Sequence, residues 1–328
     1  MRHTTISSRG SHVEANGDFA NCFAVGHCGV RHIEAAGFYC GDGAMTSQGS
    51  LLSARNAFEI FRQSLLESWA TSVNATSSDR VRSALHYAVM RTNRLIFEQA
   101  LTAEAGSREL HVSAITGLIT RSILMFNTMG NVVLLLLRDG RFHLLSEDQS
   151  FAGALQRKGL LRPSAALRHP FARLSSRRLG SFPDVHPSFR SLALQPGDIL
   201  LTMTDGMGEL RVPGALNRRL AHVLSAFPPG QSRGDTMVGA LQQAFQHQLK
   251  NTSTGTDDDA TVLLMSYDAD DHEHLHLEAP QEDQVATLAD MLNTPEPPTR
   301  PMPESRPMSR DRLEIKTRED LRREISRF

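Results

Sequence analysis

The sequence predicts an α+β fold in which one sheet packs on another and helices lie outside. Three observations predict it. Strand-like segments come in hairpin groups with helices between the groups, without regular strand–helix–strand alternation. The runs 132–137 and 262–265 are apolar at every position, as strands buried on both faces must be. Hydrophobic residues make up 40% of 328 residues and charged ones 22%, enough apolar surface for a sizeable core.

The elements follow in order. Residues 23–25 and 38–40 read as two short strands joined by a connection at 26–29. Ala54, Phe58, Phe61, Leu65 and Trp69 recur at helical spacing. Ser77-Ser78-Asp79 caps a second helix, whose apolar stripe is Val81, Leu85, Val89 and Ile96. Residues 115–119, 123–126, 132–137 and 142–145 read as strands, with Asp139-Gly140 as a hairpin turn between the last two. Short helices are expected at 151–159 and at 163–167, the latter with Pro163 in its first turn. Strands at 191–196, 198–204 and 260–267 enclose helices at 216–225 and 236–250.

Composition and charge exclude several classes. A formal net charge of -1 argues against a strongly basic nucleic-acid binder. No apolar run approaches a membrane span, and residues 1–6 lack the apolar centre of a signal peptide. Cys22, Cys28 and Cys40 match no zinc spacing and read as small core residues. A cytoplasmic protein with neither nucleic-acid nor membrane partners is expected.

The organisation expected is a globular domain at 1–270, a flexible Pro-rich linker at 271–308 and a charged helical tail at 309–328. The stretch 294–303 holds five prolines and cannot form a helix or an interior strand. In the tail, Thr317 and Asp320 have capping-box spacing, and Leu321, Ile325 and Phe328 share one helical face that would dock a partner or the domain.

Three aspartates occupy the same kind of position. Asp42 and Asp205 end apolar strands and precede glycines, and Asp258 stands just before the last strand. Each alone is also a turn or a solvated loop. Together, strand ends opening on one rim would gather carboxylates that repel one another until a cation neutralises them. Hard oxygen ligands select Mg²⁺ or Mn²⁺. A glycine after the carboxylate lets its carbonyl approach the same ion.

An ordered set of segments resembles the metal-dependent type 2C (PPM-type) serine/threonine protein phosphatases, in their bacterial form. The set runs from the opening segment Ser8–Asp18 through Asp42-Gly43, Asn93, Gly130-Asn131-Val132 and the segment 145–150. It continues through Arg178-Leu179-Gly180 and the segment 197–207, and closes at Asp258-Asp259-Ala260-Thr261-Val262. The resemblance implies a four-layer α-β-β-α sandwich of two antiparallel sheets with two metal ions, Mg²⁺ or Mn²⁺, at one end. Asp42, Asp205 and Asp258 would hold one ion. Asp42 and the Gly43 carbonyl would reach the second, and Asp18 would act through a bound water. The implied reaction is hydrolysis of phosphoserine and phosphothreonine in proteins by a metal-bound water, with phosphoproteins and a serine/threonine kinase as partners.

The chain departs from the family pattern at four positions. Gly17 stands for the opening-motif Glu, Val13 for the phosphate-binding Arg, Asn131 for the Asp of Gly-Asp-Ser, and Ala44 for a His found in some members. These departures support an alternative reading, a weak or silent phosphatase-like domain that binds a phosphoprotein or regulator. The remaining signals read as bland. His272, His274 and His276 lie beyond the last strand, and the pairs Arg177-Arg178 and Arg218-Arg219 are expected on solvated faces, although Arg178 lies where a phosphopeptide would pass.

Overall fold

The structure is a computed structural model that describes residues 2–10, 16–28, 32–43, 53–71, 77–102, 110–120, 122–172, 174–175, 177–225, 234–252 and 258–268. The expected linker and tail, the histidines at 272–276, and Val13 and Ala44 lie outside the described residues.

Two five-stranded antiparallel sheets form the centre. One contains β1 (Arg2–Ser8), β10 (Ala260–Tyr267), β9 (Asp198–Met203), β6 (Val133–Arg138) and β7 (Arg141–Leu144), in that spatial order. The other contains β2 (Phe19–Cys28), β3 (His32–Gly43), β4 (Val112–Thr120), β5 (Ile123–Met129) and β8 (Phe189–Ala193). α1 (Ser53–Thr71) and α2 (Ser77–Thr102) cover the second sheet. α5 (Pro213–Arg219), α6 (Ala221–Ser225) and α7 (Gly234–Thr252) cover the first. The expected four-layer sandwich is therefore observed. Two short helices, α3 (Phe151–Arg157) and α4 (Pro163–Arg168), stand between β7 and β8.

Alternation along the central strands divides each apolar run between two cores. Leu134 and Leu136 of β6 and Leu263 and Met265 of β10 point between the sheets, toward Phe38, Cys40 and Ile115. Their neighbours Val133, Leu135, Val262 and Leu264 point outward, against Leu216, Leu241 and Phe245 of the helices. A strand with a core on each side has no face left for polar residues, which is why these segments lack an alternating pattern. On the second sheet, Tyr39 turns outward to Phe58 and Phe61 while Phe38 and Cys40 turn inward. The stripes foreseen on α1 and α2 are buried there. Cys22 and Cys40 are buried free thiols, raised in pKa by that burial.

Local details follow their chemistry. Asp139 and Gly140 both have positive φ, 50° and 72°, as a two-residue hairpin turn requires. Ser150 caps α3, its Oγ accepting the Gly153 N–H at 3.0 Å.

The structure corrects several expectations. β1 was not anticipated: it is an edge strand that buries Ile6 and little else, so it carries no apolar signature. The connection expected at 26–29 begins later, because His27 and Cys28 still pair with Ile33 and His32. The helix expected at 216–225 starts at Pro213 and breaks at Leu220, giving α5 and α6. The strand expected at 191–196 ends at Ala193, before the turn in which Gly197 has φ 93°. Asp205 opens a 3-10 segment, Asp205–Arg211.

Candidate active site

Strand register brings the aspartates to one end of the sandwich. Phe19 pairs with Gly41, so Asp18, just before β2, stands beside Asp42 near the end of β3. Asp42 shares the inward-facing parity of Phe38 and Cys40. In the other sheet Val262 pairs with Met203, so the end of β9, leading to Asp205, adjoins the start of β10, which follows Asp258. The two sheets are joined at this end by threonines. The Thr204 hydroxyl donates to Asp18 Oδ2 at 2.7 Å and accepts the Thr261 N–H at 2.9 Å.

These carboxylates affect one another. Burial raises the Asp42 pKa well above the ordinary carboxylate range, and the charges of Asp205, Asp18 and Asp258 push it further. The Asp18 carboxyl is likewise raised by burial, and by Asp205 and Asp259, against the lowering effect of its Thr204 hydrogen bond. Asp205 Oδ2 accepts the Asn131 side-chain amide at 2.9 Å. The Asn131 main-chain carbonyl in turn accepts Arg211 Nη1 at 2.7 Å, and Arg211 is buried.

Asp259, which sequence reasoning passed over in favour of Asp258, is a buried clamp. Its two oxygens accept the N–H of Gly10 at 2.8 Å and of Gly17 at 2.6 Å, fastening the opening segment to the start of β10. A Cβ on Gly206 would come within 1.9 Å of the Asp259 carbonyl oxygen, so the glycine after Asp205 is required by packing. Asn93, deep in α2, donates to the carbonyls of Phe182 and Pro183 and accepts the Gly180 N–H at 2.8 Å. It fixes the chain just after Arg178.

Arg178 is a correction to the expected solvated pair, because it is half-buried on the site side. Leu179 and Val112 exchange both main-chain hydrogen bonds, at 3.0 and 2.9 Å, and Val112 pairs with Gly43. One residue along the same row, Arg178 lies beside Ser113, which pairs with Asp42. The side chains of Leu179 and Val112 face the helices, so alternation turns Arg178 to the opposite face, with Asp42. Two electrostatic effects agree with that position. The guanidinium lowers the Asp42 pKa, and after burial it is the second cause that pushes His111 down to about 4. The motif order puts Arg178 in the region a phosphopeptide would pass; the bridge to Val112 gives its row beside Ser113 and Asp42.

The donors at the rim are oxygens, the type a hard cation selects. Mutually repelling carboxylates meet at one rim, and the buried Asn131 Oδ1 beside Asp205 accepts no hydrogen bond. Among the described residues, no three acidic, imidazole or thiol groups stand close enough together to ligate one ion as they are.

The family model for stage II sporulation protein E (SpoIIE) matches residues 129–268. Protein phosphatase PhpP of Streptococcus pneumoniae is 26% identical over 138 residues, covering 42% of this chain and 50% of that protein. The chain thus spans about half the length of the curated relatives it matches. Among solved structures, the serine/threonine phosphatase of S. agalactiae aligns with a TM-score of 0.62 at 20% identity, over 80% of this chain and 98% of that one. The catalytic domain of the serine/threonine phosphatase PstP, solved in complex with two manganese ions, aligns with a TM-score of 0.56 at 20% identity, over 80% of this chain and 96% of that one. The fold is the two-sheet sandwich that these phosphatase structures share. Over part of its length the chain is thus similar in sequence to SpoIIE and to the bacterial protein phosphatases.

Proposed function

We propose that this protein is a divalent-cation-dependent phosphatase acting on phosphoserine and phosphothreonine in proteins. The observation that carries the reading is the gathering of Asp18, Asp42, Asp205 and Asp258 at one rim, where burial and neighbouring carboxylates raise the pKa of Asp18 and Asp42. Charges so placed are neutralised most directly by Mg²⁺ or Mn²⁺. Asp42, Asp205 and Asp258 would hold one ion, Asp42 with the Gly43 carbonyl a second, and Asp18 would contribute through water. When bound, such ions act as Lewis acids that polarise phosphoryl oxygens and make water more acidic.

The protein's own residues do the rest. Arg178 offers a guanidinium on the Asp42 face, suited to phosphoryl oxygens and able to substitute for the cation missing at Val13. The Asn131 amide holds Asp205 in orientation without adding a charge. Asp259 and Thr204 keep the opening segment and Asp18 against the second sheet. Phosphoryl transfer asks chiefly for positioning and charge stabilisation, and this arrangement supplies both.

A second reading, a silent domain that binds a phosphoprotein, is favoured by the neutral Asn131 beside Asp205 and by Gly17 in the place of a carboxylate. Hydrolysis of p-nitrophenyl phosphate and of a phosphothreonine peptide with millimolar Mn²⁺ separates the two. The phosphatase reading expects turnover that Asp42→Ala abolishes and that Arg178→Ala weakens mainly through KM. Normal Mn²⁺ binding without release of phosphate from either substrate would establish the silent domain.

A further inference from the structure

A cavity of about 490 Å³ begins one residue beyond Asp205. It lies between the segment Asp205–Arg211, the end of α5 and the end of α7. Met207 and Leu249 are buried in its lining, and Leu210 and Ala215 are half-buried beside them. Arg218 and Arg219 project from the last turn of α5 into its wall, and both are exposed. Neither guanidinium has an acidic partner among the described residues. Glu209 is the single carboxylate of the lining, and the Gln248 amide adds a neutral polar group.

Two neighbouring guanidinium groups over an apolar floor match a particular ligand chemistry. Arginine forks bind carboxylates and phosphates through paired N–H donors, and their weak hydration lets them do so at an interface. An apolar floor beside them favours a peptide that carries acidic side chains next to an aliphatic one. Gly206 lines the cavity and follows Asp205, so the cavity and the candidate site adjoin along the chain.

We propose that this cavity is a docking subsite for acidic residues flanking the phosphoresidue, so that the protein selects phosphoproteins whose target site lies in an acidic sequence. The proposal rests on the phosphatase reading for the identity of the ligand, but the docking itself is measurable without turnover.

Fluorescein-labelled, unphosphorylated peptides, one with Glu flanks and a Leu and one with Gln in place of each Glu, are titrated with the full chain under EDTA and followed by anisotropy. The Glu peptide is expected to bind about tenfold tighter, and the double variant Arg218→Ala/Arg219→Ala to erase the difference. With Mn²⁺, the phosphorylated pair should show the same discrimination in KM at equal kcat. Equal binding of the two peptides by the native chain, or discrimination that survives the double variant, would overturn the docking site. Discrimination in anisotropy without any hydrolysis would leave the docking site standing and remove the phosphatase reading.

Discussion

The middle of the sandwich and its aspartate-bearing end are built from the same strands under opposite rules. In the middle, β6, β9 and β10 present mainly aliphatic side chains to both faces, β3 adds Phe38, Tyr39 and Cys40, and close packing dominates. At the end, β3, β9 and β10 bring Asp42, Asp205 and Asp258 to one rim, where burial and the neighbouring carboxylates disfavour ionisation of Asp42. The middle contributes stability, whereas the rim gives some of it up for a charged site. Rim residues are therefore to be read by what neutralises them, and central ones by what they fill.

The largest effect is expected in the middle. Leu263 is fully buried between the sheets, and Leu263→Ala should destabilise the fold by about 2–5 kcal/mol, through lost transfer energy and the cavity left behind. Urea unfolding checks this. A loss below about 1 kcal/mol would mean that the two sheets are not closely packed at that position.

A smaller loss is expected at the rim, from Asp259→Ala. It strands two buried N–H donors, those of Gly10 and Gly17, at about 1–3 kcal/mol each, partly recovered as the opening segment rehydrates. Asp259→Asn keeps an acceptor and should lose less. Hydrogen exchange at Gly10 and Gly17 is the direct probe, and unchanged protection in Asp259→Ala would show that the clamp is not what holds this segment.

Legibility in the sequence divides along the same line. The runs at 132–137 and 262–265 announce doubly covered strands, and the three-to-four spacing from Ala54 to Trp69 announces α1, because burial selects residue type directly. β1 was not legible, since an edge strand that buries one side chain leaves no pattern. The strand-end position of Asp42, Asp205 and Asp258 was legible, and the motif order made it specific. The work of Asp259 and Thr204 was not, and that of Arg178 only in part. It depends on pairings such as Gly10 with Asp259 and Asp18 with Thr204, separated by 249 and 186 residues, which local spacing does not encode. Arg178 sits in a charged doublet that reads as surface, and although the motif order puts it near a phosphopeptide, its row beside Ser113 and Asp42 is seen only in the fold.

The third effect is the smallest in energy and tests the proposal that the rim holds a divalent cation. The folded-state pKa of Asp42 lies above its unfolded value. Between those two values the native state therefore binds more protons than the unfolded one, and stability falls as pH rises through that window. At neutral pH, without metal, Asp42→Asn removes that charge and should raise the melting temperature. Mn²⁺ should reverse the ranking, stabilising the native chain in proportion to the logarithm of its concentration while leaving Asp42→Asn nearly unmoved. Thermal unfolding of both proteins at neutral pH, with EDTA and then with Mn²⁺, is the measurement. The predicted result is a variant more stable than the native chain in EDTA and less responsive in Mn²⁺. Equal Mn²⁺ shifts in the two proteins would contradict the claim.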